Sequence, residues 1–243
     1  GISTTVEDAD APEKEPPDDR VGRPEVLVRS VVATCQGPET LGRRLVAEAH
    51  SRGFHAARRK AFVADGSATN WGVHRKHFSH YTPILDFTHA ICYVYAAAMT
   101  GRAAAAGWRD YLPWAQWLWE GSIDKLIEAI DARSRTLGPP PEGDETSPAA
   151  LVAKTLCYLE NQHTRMDYPK YRKLGLPITS SHIESPIKRL NRRMKGTEKF
   201  WDQGAEPLLA LAAANLSETN RLARFWKDRQ NQLQPARQYN TAG

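Results

Sequence analysis

No apolar run in this chain of 243 residues approaches 18 residues, so no segment is suited to crossing a bilayer as a helix. The opening residues, GISTTVEDADAP, lack the basic and apolar regions of a secretory leader. Together these absences predict a soluble, cytoplasmic protein with no membrane partner. Cysteine is scarce: Cys35, Cys92 and Cys157 are odd in number, far apart and in no CxxC pair. That argues against a disulfide framework or zinc knuckle and predicts three reduced, buried thiols. GxSxG, P-loop, HExxH and GxGxxG motifs are all missing, which removes the common hydrolase and nucleotide-binding signatures. There is no internal repeat.

Hydrophobic residues make up 41% of the chain, enough to bury a sizeable core as one large domain or as a domain with an insertion. Charge is distributed unevenly. Residues 1 to 24 carry seven acids, three bases and four prolines without apolar periodicity, the composition of a solvated linker or disordered arm. The other residues hold 30 bases against 21 acids, a net +9, so the overall +5 understates the basicity of the folded part. Such a surface suggests a polyanion partner, although a basic soluble domain has the same composition.

VLVRSVVAT (26 to 34) is β-branched and nearly all apolar, which predicts a strand buried on both faces. GPETLGRRLVAEAHSRGF then places Leu41, Leu45 and Ala49 at helical spacing, with Gly53 as a C-cap. KAFVAD (60 to 65) predicts a second buried strand, so strands 26–34 and 60–65 should be parallel neighbours in a β-α-β crossover. A short helix over 70–78 and a third strand over 82–87 follow. From Thr88 to about Arg135 the pattern is helical, and it includes Trp108, Trp114, Trp117 and Trp119, which are assigned to packing rather than base stacking. GPPPEGDETSP (138 to 148) is a loop by composition; helices resume over 149–166 and 205–226.

Few residues stand out as chemical candidates. Asp65 falls at the carboxyl end of a strand, where open α/β sheets place their sites, and Gly66 after it permits close approach. A turn aspartate would look the same. Asp86 and His89 sit at another strand end, as a metal pair or, more simply, as an aspartate that caps or orients through hydrogen bonds. His74, His77 and His80 do not converge on a helix, and beside Arg75 and Lys76 they read as surface or phosphate-contacting groups. The most informative run is SSHIESPIKRLNRRMKGTEKFW, 180 to 201. Ile183, Ile187, Leu190 and Met194 form an apolar stripe, while Glu184 heads a helix carrying Lys188, Arg189, Arg192, Arg193 and Lys195. One acid among those cations suits a metal ion held beside a phosphate backbone. Ser181-x-x-Glu184 is also a capping box, in which the glutamate serves only the backbone.

Taken together, FVADGS…NW (62 to 71), ILDFTHA (84 to 90), ENQHTRMDYPKYRKLGLPITSSHIES (160 to 185) and RRMKGTEKFWDQGAEPLLAL (192 to 211) resemble a DDE transposase of bacterial insertion sequences. The likeness is closest to the Kra type, relatives of the Mutator-like group, and covers most of residues 25 to 226. It implies an α/β fold: an incomplete ribonuclease-H-like core over 25–88, an all-helical insertion over 89–178, and the catalytic-glutamate helix with C-terminal helices over 179–243. By this resemblance Asp65 matches the second catalytic aspartate and Glu184 the catalytic glutamate, which together bind Mg²⁺ or Mn²⁺ and lie close in space. Asp86 and His89 match an element near the start of the insertion. DNA, as transposon ends and target, is the implied partner, and the family assembles as a homo-oligomer on DNA.

The departure from the family is the first catalytic aspartate, expected on the first strand of the sheet. Asp8, Asp10, Asp18 and Asp19 sit in no strand pattern. The chain is therefore expected to be a C-terminal catalytic-domain fragment, inactive in strand transfer. The competing readings are a non-enzymatic DNA-binding remnant and a helical protein-interaction module in which Glu184 is a cap.

Overall fold

The computed structural model describes residues 29–180, 204–218 and 221–233. Short apolar runs next to longer amphipathic ones give a mostly helical α/β architecture. Helix α1 (Pro38–Ser51) begins with Pro38 in its first turn and Glu39 beside the positive helix end, and it stops before Gly53 in the left-handed conformation (φ 69°). Strand β1 (Ala61–Ala64) is followed by α2 (Ala68–His77), which Ser67 caps by accepting from the Asn70 N–H. Strand β2 (Thr82–Leu85) pairs parallel to β1 in the register Ala61 with Thr82 through Ala64 with Leu85.

The β-α-β unit therefore exists, but its partners differ from those expected. β1 pairs with β2 across α2, and residues 29 to 34 of the expected first strand form no strand. Their backbone is satisfied differently. Val31 N–H donates to the Ser217 hydroxyl at 2.8 Å, and Glu218 N–H donates to the Arg29 carbonyl at 2.9 Å. The segment is tied to the end of α8 (Ala205–Leu216) instead of to a ladder. β1 consequently has a strand neighbour on one side only among the described residues, and Asp65 does not end an interior strand there.

The expected long helical stretch divides at turns into α3 (Phe87–Met99), α4 (Ala104–Glu120) and α5 (Ile123–Leu137). Gly121 (φ 74°) ends α4, with the Ser122 N–H closing on the Trp117 carbonyl at 2.9 Å. α6 (Pro148–Gln162), α7 (Tyr168–Lys173) and, after α8, α9 (Arg221–Leu233) complete the described chain. The main core joins the sheet to these helices through Ile84, Leu85, Val94, Leu118, Leu126 and Leu159, all fully buried. Arg133 is also buried. It donates to the Ala97 carbonyl (2.8 Å) and the Thr100 carbonyl, so a cation sits on the orphan acceptors at the end of α3.

One expectation about side chains needs correction. All three cysteines are exposed, because Cys92 and Cys157 fall on outer helix faces and Cys35 on a surface segment. The tryptophans of α4 pack as expected: Trp114 is core and Trp117 packs against it, while Trp108 and Trp119, each 45% exposed, sit edge-on to Tyr95 and Tyr111 and to Phe87 respectively. Among the described residues no helix is long and apolar enough to cross a membrane.

Candidate active site

Parallel register brings two aspartates together. Asp65 and Asp86 each follow the last residue of their strand, and the Asp86 N–H extends the ladder by donating to the Ala64 carbonyl at 2.8 Å. Side by side at the carboxyl edge of the sheet, they nonetheless have different surroundings.

Asp65 is partly exposed. Its Oδ1 accepts from the Ser67 N–H (3.0 Å) and the Asn70 amide (2.9 Å), which orients the carboxylate at the entry to α2. Burial pushes its pKa up, but the Ser67 N–H, the Asn70 amide and the Ser67 hydroxyl outweigh burial and His89 adds a smaller pull, leaving it below the ordinary 3.8. The group is ionised at neutral pH and partly open to solvent.

Asp86 is 1% exposed and fully engaged. Oδ1 caps α3 by accepting from the Thr88 N–H (2.7 Å) and the His89 N–H (3.3 Å). Oδ2 accepts from the Ser180 N–H (2.7 Å) and the Ser180 hydroxyl. Burial raises its pKa, yet the Ser180 donors and the two cap N–H groups more than offset this and hold it below the ordinary range. Four donors leave it little capacity for a cation. His89 Nδ1 lies 3.7 Å from Asp86 Oδ1, beyond hydrogen-bond length. The geometry is that of a helix cap and strut rather than a metal pair.

Helix α6 secures the turn between the strand and α2. The Tyr158 hydroxyl donates to the Asp65 carbonyl at 2.8 Å and, one turn later, the Gln162 amide donates to the Gly66 carbonyl at 3.0 Å. Tyr158 stacks on Tyr93 at 4.0 Å, and burial first, then that neighbour and the two aspartates, push its phenol pKa far up, so it remains a donor. Gly66 is required here. Its φ is 94°, and a Cβ would stand 2.7 Å from the Tyr158 ring. Arg165 continues the network, lying over the Trp71 ring at 4.5 Å and donating to Gln162 Oε1 at 2.8 Å.

Ser180 links this edge to the strongest sequence motif. The preceding strap meets the start of α3: Phe87 N–H donates to the Ile178 carbonyl at 2.9 Å, and the Thr88 and Thr179 hydroxyls meet at 3.0 Å. Glu184, Lys188, Arg189, Arg192, Arg193 and Lys195 lie outside the described residues. The helix face proposed for them and the approach of Glu184 to Asp65 lie there too. Among the described residues no group of three or more His, Cys, Asp or Glu could hold a metal ion.

Sequence reasoning missed Tyr158, Gln162 and Ser180. An i, i+4 pair of hydrogen-bonding side chains on a mainly apolar helix was the available signal for the first two. His74 is a correction: it is buried and its Nε2 donates to the Tyr81 carbonyl at 2.9 Å, so it fastens α2 to β2 instead of lying at the surface. No protein-family model, curated protein or solved structure matches the chain.

Proposed function

We propose that the chain is part of the catalytic domain of a DDE transposase, with the two parallel strands belonging to an incomplete ribonuclease-H-like core. Its chemistry in the whole family is metal-dependent cleavage and transfer of DNA strands. The observation that carries this reading is the paired strand-end edge: Asp65 presents an ionised, partly exposed carboxylate, and Asp86 anchors Ser180 beside it. Glu184 follows Ser180 by four residues, and four residues of extended chain reach at most about 14 Å. A reach of that length allows the Glu184 carboxylate to approach the Asp65 edge.

The donor set fits a hard divalent cation in part. Asp65 would hold Mg²⁺ or Mn²⁺ together with Glu184, since such ions take carboxylate oxygens. Bound there, the ion would activate an attacking oxygen and offset charge on the leaving oxygen of a phosphodiester. The chain's own residues orient the Asp65 carboxylate, brace its carbonyl through Tyr158, and neutralise nearby phosphates from the basic positions 188–195. With both Asp86 oxygens engaged, the described edge supplies only one carboxylate for metal, so strand transfer by this chain should stay at background.

Mn²⁺ titration of the intact chain, followed by water-proton relaxation, tests the reading. Asp65→Asn and Glu184→Gln should each weaken Mn²⁺ binding at least about tenfold, the loss of one charged oxygen ligand being worth more than 1.4 kcal/mol. Equal binding by all three proteins would remove the metal site and with it the transposase reading. The DNA-binding remnant would then be favoured if duplex affinity persisted.

A further inference from the structure

The opposite edge of the sheet has the opposite charge. From residue 49 to residue 85 the only acid is Asp65, against Arg52, Arg58, Arg59, Lys60, Arg75 and Lys76. Asp65 lies past the carboxyl end of β1, whereas Arg58, Arg59 and Lys60 lead into its amino end. The Lys60 carbonyl accepts from the Thr82 N–H at 2.9 Å, bringing His80 and Tyr81 alongside. α2 runs back between the strands and delivers Arg75 and Lys76 to the same edge in its last turn. α7 ends there as well, because Arg59 donates to the Leu174 carbonyl next to the exposed Lys173.

The neighbouring acids are already engaged. Glu39 pairs with Lys76 at 2.6 Å, Glu48 with Arg52 at 2.9 Å, and Asp167 caps the far end of α7. Helix dipoles account for cations in the last turns of α2 and α7, but not for the run 58–60, which precedes a strand. Like charges gathered from three separate segments raise the local potential and favour an extended anion over a single counter-ion.

We propose that this amino edge binds the phosphate backbone of duplex nucleic acid through Arg58, Arg59, Lys60, Arg75 and Lys173. The surface is separate from the Asp65 edge and does not depend on a metal there, so it stands or falls independently of the catalytic reading.

The experiment is anisotropy of a labelled duplex of about 20 base pairs, titrated with the intact chain over a range of salt, where each neutralised phosphate contributes about 0.9 to the log–log slope. Arg58→Ala/Arg75→Ala/Lys173→Ala alters exposed side chains without removing the Arg59 bond, and should lower the slope by up to about 2.7 with unchanged circular dichroism. Arg58→Lys/Arg75→Lys keeps the charge and should keep the slope, whether or not the alanine variant folds. An unchanged slope in a folded alanine variant would overturn the proposal. So would no duplex binding by the unmodified chain, or tighter binding to phosphatidylserine vesicles than to duplex at equal phosphate.

Discussion

Asp86 shows how far one residue can be assigned a role by counting its bonds. Every lone-pair direction used by its carboxylate faces a backbone or hydroxyl donor, so its work is to join the start of α3 to the strap ending at Ser180. Asp86→Ala removes an N-cap and leaves the Ser180 N–H without its acceptor, so it should destabilise by about 2–4 kcal/mol, measured by urea unfolding at neutral pH. Asp86→Asn should cost less because it keeps one cap acceptor. The pH dependence has a fixed sign. A carboxylate held below its unfolded value of 3.8 contributes its full stability above that pH and loses it as pH falls through the lower folded value. The gap between wild type and Asp86→Ala should therefore close in strong acid. In α8, Glu206 takes the Cys35 thiol and N–H, the Thr34 hydroxyl and Arg44, and its pKa falls to about 2.

Among the elements, α6 acts on the site without supplying a ligand. Its Tyr158 and Gln162 hold consecutive carbonyls of the Asp65–Gly66 turn, so the helical layer fixes the angle at which Asp65 leaves β1. Gly66→Ala combines strain at positive φ with a clash against the Tyr158 ring and should cost about 1–3 kcal/mol of stability, read as a fall in melting temperature. Tyr158→Phe keeps the stacking on Tyr93, removes one hydrogen bond, and should cost about 1 kcal/mol. Much of this level was legible in the sequence. The runs over 61–64 and 82–85 are short and apolar with turn residues after them, and α1, α2 and α6 announce themselves through caps and spacing. The segment 29–34 misled because β-branched composition records only a preference for half-buried extended backbone. Whether Ser217 or a neighbouring strand satisfies its N–H groups is decided by tertiary contacts that no local window contains. His74 misled for a related reason: its partner, the Tyr81 carbonyl, exists only once α2 folds back onto β2.

For the molecule as a whole, the sheet separates charge, with carboxylates at one edge and cations at the other. The acidic edge could be read from Asp65 following an apolar run and Asp86 following another, since parallel strands put their carboxyl ends together. The basic edge could not, because Arg58, Arg75 and Lys173 are spread over more than a hundred positions and meet only through the crossover and the return of α7. The central claim is that Asp65 and Glu184, 119 positions apart, share one cation. The most direct measurement is a crystal structure of the chain grown with Mn²⁺, using anomalous scattering to find the metal. The account predicts a peak touching Asp65 Oδ2 and a Glu184 oxygen at the short distances of a small divalent ion, about 2.1 Å for Mg²⁺. A Glu184 carboxylate capping its own helix on another side of the domain, with no metal at Asp65, would contradict it.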